Sequence, residues 1–214
     1  MHKSVHFSWL DRVIIEIDRG LHAVLAEPSS AQAYPAEQHD NSTLTDAEKQ
    51  CSGRLMRVNH SGEVAAQALY NGQALSARDP GLRTTLQHCA QEEQNHLAWC
   101  HQRLNELSTH RSLLNPLWYF GSFIIGAIVG QFSDRISLGF VEATEMQVSA
   151  HLQKHLDRLP TADHTTRGII TAMQEDEQAH AQTALNQGAQ PLPVAAKTLM
   201  KAASRVMTTL SYWI

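Results

Sequence analysis

The sequence predicts an all-α chain: a four-helix bundle with one accessory helix at each end. Three observations predict it. Composition comes first: 43% of residues are hydrophobic and only 6% aromatic. Ala, Leu, Gln and Glu dominate and β-type alternation is nearly absent, which favours helix. Second, apolar residues recur at helical spacing along several long segments. Third, caps and Gly/Pro breaks fall at the ends of those segments. A chain of 214 residues is long enough for one good core and a small additional element.

The elements follow in order. Residues 8 to 26 read as a short helix with Ser8 as its cap. Residues 27 to 42 are rich in Pro, Ser, Ala, Gln and Asn and read as a loop. Thr45 with Glu48 forms a capping-box pattern opening a long helix to about Ala77. Asp79-Pro80-Gly81 is a break, with Pro80 suited to a first helical turn, and a second long helix runs to about Leu107. A third is expected from Leu117 to Leu159, ended by Pro160. Thr161 is a possible cap for a fourth, from Ala162 to Gln187. After a break at Gly188 to Pro193, a last helix covers Val194 to Tyr212.

The net charge of −4 gives no reason to expect a nucleic-acid partner. Cys51, Cys89 and Cys100 make an odd count without a CxxC. On one helix Cys89 and Cys100 would stand about 16 Å apart, too far to bridge. A reducing, intracellular setting fits best. The apolar stretch at Val13 to Ile17 is cut by charge and does not resemble a secretory leader.

The chemistry lies in the core stripes. The second long helix places Glu93 and His96 among Leu82, Leu86, Cys89 and Cys100. The third places Glu145 among Leu138, Val141, Val148 and Leu152, and the fourth places Glu177 and His180 among Ile170, Met173 and Ala184. A carboxylate buried alone costs several kcal/mol and must be neutralised or paired. No Lys or Arg stripe is available for that, so a metal is the remaining candidate. Glu and His at i and i+3 share one helix face. The Glu-x-x-His unit occurs twice, and each copy follows a single Glu on the preceding helix: Glu63, 30 residues before Glu93, and Glu145, 32 before Glu177. Four carboxylates and two neutral imidazoles balance two divalent cations. Such an oxygen-rich set suits iron or manganese better than zinc.

One Glu-x-x-His alone in a helical protein is usually a solvated pair. Two phased copies, each with a partner Glu, match the ligand set of ferritin-like di-iron proteins. Glu92, Glu175 and Asp176 lie off the stripe and are expected to be exposed. His60, one turn before Glu63, and His151, near Glu145, are open between a role beside metal or substrate and an ordinary hydrogen-bonded or surface place.

Four segments carry a family resemblance: Asn59-His60-Ser61-Gly62-Glu63, Gln91-Glu92-Glu93-Gln94-Asn95-His96, Val141-Glu142-Ala143-Thr144-Glu145 and Glu175-Asp176-Glu177-Gln178-Ala179-His180. Together they resemble the bacterial demethoxyubiquinone hydroxylases of ubiquinone biosynthesis. The resemblance runs from about residue 50 to the C-terminus and includes Pro116-Leu117-Trp118. Asn59 departs from members that carry Asp there, at a position that is not a ligand. The first 45 or so residues show little to match; the chain divides into an N-terminal helix and linker over residues 1–44 and a bundle over residues 45–214, which the resemblance implies is ferritin-like. It implies two iron ions held by Glu63, Glu93, His96, Glu145, Glu177 and His180, with Glu93 and Glu177 bridging. The implied reaction hydroxylates a polyprenylated methoxy-benzoquinol with O₂, its electron donor left open.

The residues also speak to membrane contact. Ser112 to Ser133 contains no charged residue, a length that could span a bilayer. A span would separate Glu93 and His96 from Glu145, Glu177 and His180, so the expectation is a segment dipping into one leaflet or packing on another subunit. Ser122, Gly126 and Gly130 form a small-xxx-small track suited to close helix packing. In the last helix Lys197, Lys201 and Arg205 form a basic stripe opposite Leu199, Val206, Leu210 and Trp213, the pattern of an interfacial helix. An ordinary core-packing helix with a solvated basic face has the same pattern. The expected setting is peripheral, on the cytoplasmic face of the bacterial inner membrane. Expected partners are the quinol, other ubiquinone-biosynthesis proteins and further copies of the chain. The rival readings are ferritin- or rubrerythrin-like iron oxidation and a non-enzymatic membrane-associated helical scaffold.

Overall fold

The computed structural model describes residues 8–36 and 44–214; residues 37–42 of the expected loop lie outside them. Among the described residues there are seven helices and no strand: α1 (Trp9–Leu25), α2 (Asp46–Ser76), α3 (Pro80–Glu106), α4 (Asn115–Val129), α5 (Asp134–Arg158), α6 (His164–Asn186) and α7 (Val194–Trp213). Helices α2, α3, α5 and α6 form the ferritin-like bundle. Hairpin partners α2/α3 and α5/α6 pack along their lengths, and α4 lies along α2 on the outside. Helix α1 touches α2 and α4, while α7 lies on α2 and α5.

Local chemistry sets most of the helix starts. Capping boxes pair Ser8 with Asp11 and Thr45 with Glu48, each satisfying backbone donors that the helix leaves free. Asp79 caps α3 ahead of Pro80. Helix α6 begins later than the sequence suggested, and its cap is Asp163 rather than Thr161. The buried Asp163 carboxylate accepts from Thr166 N at 3.0 Å and from Arg103 Nη2 at 2.8 Å. That charge-assisted pair fixes the start of α6 against α3.

The helix expected from 117 to 159 is two helices. Gly130 ends α4, and Ser133 caps α5 by accepting from Ile136 N at 3.3 Å. Helix α4 also approaches α2 closely. A Cβ on Gly126 would collide with the Leu69 carbonyl, and one on Gly130 would lie 2.7 Å from the Gln73 oxygen. The small-residue track therefore does provide close packing, against α2 of the same chain. The opposite face of α4 stays exposed at Leu117, Phe120, Ile124 and Ile128.

Segment 27–36 is irregular, as expected, and is held against α3. Asn95 Oδ1 accepts from Ala31 N at 3.0 Å and Ser30 Oγ at 3.1 Å, and the Tyr34 hydroxyl reaches Glu106 at 3.2 Å. Two apolar clusters fill the bundle. One contains Leu55, Met56, Trp99, Leu104, Leu152, Ile169 and Met173. The other contains Leu69, Tyr70, Leu86, Leu138 and Val141. Between them, along every bundle helix, sits the polar layer. All three cysteines are free, including Cys89 and Cys100, whose spacing excluded a bridge between them.

Candidate metal centre

Each bundle helix contributes to this layer: Glu63 from α2, Glu93 and His96 from α3, Glu145 from α5, Glu177 and His180 from α6. All six side chains are buried. Their donor atoms form two overlapping groups, Glu63–Glu93–His96–Glu177 and Glu93–Glu145–Glu177–His180, each with its ligand atoms within 4.8 Å of one another. All six sequence-predicted residues thus come together.

The overlap is oriented. Glu93 presents Oε2 to His96 Nδ1 at 3.4 Å and Oε1 to His180 Nδ1 at 3.7 Å. Glu177 presents Oε1 to His96 at 3.2 Å and Oε2 to His180 at 3.3 Å. Glu63 lies 3.7 Å from His96 and Glu145 3.9 Å from His180. Two carboxylates thus serve both halves and two serve one half each.

The residues fit a pair of cations. Both oxygens of Glu93, Oε2 of Glu145, Oε1 of Glu177 and Nδ1 of His96 are buried without a hydrogen-bond partner. So many orphaned ligand atoms converging on one point need an external partner. Without cations the layer is electrostatically strained. Burial, with Glu177 close by, pushes the Glu93 and Glu145 carboxyls well above their usual range. Burial acts on Glu177 in the same direction, but the His180 and His96 imidazoles overcome it and bring the carboxyl down to about 2. Burial disfavours a charged His180, yet Glu177, Glu93 and Glu92 raise it to about 9. Bound cations would supply the missing positive charge and leave both imidazoles neutral.

The outer nitrogens of both imidazoles are held. Asp176 accepts from His96 Nε2 at 3.0 Å, and Glu92 from His180 Nε2 at 2.9 Å. Each acid reaches across to the histidine of the other helix. This corrects the expectation that Glu92 and Asp176 are exposed bystanders: their side chains are 31% and 45% exposed, and both bond the site. Glu175 is exposed, as expected. The signal was present in the sequence, because an acid precedes the Glu in both copies of Glu-x-x-His. Tyr70 was also missed. Its hydroxyl donates to Glu145 Oε1, and its place seven residues after Glu63 puts it on the same face of α2.

His60 and His151 join neither group. His60 is fully buried, accepts from Asn115 Nδ2 at 3.2 Å, and burial drops it to about 3. His151 stacks edge-on with His155 at 4.0 Å. Both are neutral at ordinary pH.

Comparison with known proteins agrees with this arrangement. The family model for "Ubiquinone biosynthesis protein COQ7" matches residues 50–211. A 3-demethoxyubiquinol 3-hydroxylase of Nitrosococcus oceani is 50% identical over 208 residues, covering 97% of each chain. The protein of that name from Nitrosospira multiformis is 51% identical, covering 96% of this chain and 99% of its own. That of Acinetobacter baylyi is 50% identical, covering 98% and 99%. A buried carboxylate–histidine cluster within a helical bundle, matched over nearly the whole length by such relatives, places the chain in the COQ7 family of ubiquinone-biosynthesis hydroxylases.

Proposed function

We propose that the protein is a di-iron monooxygenase that hydroxylates the ring of a polyprenyl demethoxyubiquinol, using O₂. The observation that carries this reading is the sharing of Glu93 and Glu177 between two carboxylate–histidine groups. The relatives' activity supplies the substrate class. Glu63 and His96 would complete one iron's ligands, and Glu145 and His180 the other's, within the domain of residues 45–214.

Ferrous ions bound there would supply the site for O₂ and the path for two electrons, drawn with two protons from an external reductant or from the quinol itself, so that one oxygen atom ends on the ring and the other in water. The chain does the rest. Asp176 and Glu92 accept the outer N–H of each imidazole, so both rings present Nδ1 inward. Tyr70 holds one oxygen of Glu145 and leaves the other for metal. The apolar clusters on either side exclude bulk water, which strengthens every charge interaction inside.

A polyprenyl substrate resides in a bilayer, and peripheral contact with the cytoplasmic face of the inner membrane would deliver it. Among the described residues no helix is long and apolar enough to cross a membrane. The exposed apolar face of α4 and the exposed Leu199, Val206 and Trp213 of α7 support surface contact. Helix α7 does not bury these residues; it packs on its Ser204, Met207 and Ser211 side.

The test is iron content of anaerobically purified protein, followed by single turnover with O₂ and a demethoxyquinol. Two irons per chain and a hydroxylated quinol are expected. A folded chain that takes up no added ferrous iron would overturn the reading.

A further inference from the structure

A cleft remains between α5 and α7 that the catalytic reading does not use. It encloses about 370 Å³, and its lining includes Glu142, His151 and Lys154 from α5 and Lys197, Lys201 and Arg205 from α7. Four cations face one carboxylate. Glu142 lies 3.9 Å from Lys197, and among the described residues no carboxylate lies within ion-pair distance of Lys154, Lys201 or Arg205. No acidic residue follows Glu177 in the chain to offset them. Like charges drawn together along two facing helices repel, and an anion between them relieves that repulsion. The cleft also offers the Ser204 hydroxyl and His151, whose buried Nε2 has no hydrogen-bond partner.

The placement of the cleft indicates where the anion comes from. On α7 the cationic residues occupy one flank and Leu199, Val206, Leu210 and Trp213 the other, with the packing face between them. Trp213 is 63% exposed although Arg54 stacks on its ring at 4.4 Å. A helix lying this way, with its apolar flank in a bilayer surface, holds its cationic flank at the depth of the lipid phosphates.

We propose that the α5–α7 cleft is a binding site for the phosphate of an anionic phospholipid headgroup, gripped by Lys154, Lys201 and Arg205. This rests on the peripheral membrane reading above, and the experiment separates the two. The iron-loaded full-length protein is titrated with vesicles of phosphatidylcholine alone and of phosphatidylcholine mixed with phosphatidylglycerol. The anionic vesicles should bind more tightly. The double substitution Lys201→Gln with Arg205→Gln should weaken that binding by about 25-fold, roughly fivefold per charge, and leave binding to neutral vesicles unchanged. Equal affinity of the native protein for both vesicles would overturn the headgroup site and leave the membrane reading intact. No binding to either would overturn both. A double variant that loses neutral vesicles to the same degree would show that only the fold of α7 was tested, and the headgroup site would fall. If sn-glycerol 3-phosphate binds with no preference among vesicles, the cleft is a site for a soluble phosphate ester and the lipid source is wrong.

Discussion

The two halves of the metal layer repeat the same residues but not the same surroundings. In the half built on His96, the imidazole is fully enclosed, Trp99 packs at 5.2 Å, and Glu63 faces it without a tyrosine partner. In the half built on His180, the imidazole keeps 9% of its side-chain surface. There Glu145 receives the Tyr70 hydroxyl, and the acid holding the imidazole, Glu92, is itself shared with His88 at 2.9 Å. The internal repeat thus gives both halves the same carboxylate and imidazole groups, while residues outside the repeat make them unequal. The difference marks one half closed around its imidazole by Trp99 and another whose carboxylate and imidazole-holding acid each have a second partner, Tyr70 and His88.

The largest effect should come from removing what the halves share. Glu177→Ala deletes one oxygen facing each imidazole, and both irons and all turnover should be lost together. Iron analysis and a turnover assay check this, and a variant retaining both metals with normal activity would end the shared-ligand reading. Next come the two acids that hold the imidazoles. Asp176→Asn and Glu92→Gln should each weaken iron binding by about 10- to 100-fold, each in its own half. Spectroscopic titration with ferrous iron would then show one tight and one weak site. If either variant weakens both sites equally, the halves are not separable. Smaller again is Tyr70→Phe, which removes a hydrogen bond to a carboxylate worth roughly 1.5 kcal/mol, or about tenfold in affinity. The loss should fall on the His180 half alone.

Legibility in the sequence followed the same division. The six candidate ligands could be read as a cluster because a charge in a 3.6-period apolar stripe is costly and the pattern occurs twice. The bundle could be read for the same reason. Glu92 and Asp176 could not, because periodicity places them off their own helix's buried face; it takes the neighbouring helix to bring them to a histidine. Tyr70 was hidden in plain sight, since a tyrosine in a core stripe reads as packing until its hydroxyl's partner is known. The single helix expected from 117 to 159 failed at Gly130 to Ser133. The apolar run ends there and charged residues begin at Asp134, a change that reads as an amphipathic continuation until the Ser133 cap is seen to start a new helix. The orientation of α7 was undecidable from pattern alone, because an amphipathic helix does not say which flank meets protein.

The comparison extends to the imidazoles outside both halves, where the sign reverses. The carboxylates raise His180 to about 9, whereas burial lowers His155, with His151 and Arg158 adding to it, to about 2. His155 is 2% exposed. Its unfolded form titrates near pH 6.5, so as pH falls the unfolded chain takes up the proton first. The neutral, buried state is therefore fully stabilised above about pH 6.5. That stability is lost progressively below it, at roughly 1.4 kcal/mol per pH unit. Between pH 6.5 and 5 this one histidine should account for about 2 kcal/mol of acid destabilisation. His155→Leu should flatten the dependence of urea-unfolding stability on pH by that amount, while the contributions of His60 and His151, which burial also lowers, remain. An unchanged slope in the variant would mean that His155 reaches solvent in the folded chain, and that α5 is looser at this end than the burial of His155 implies.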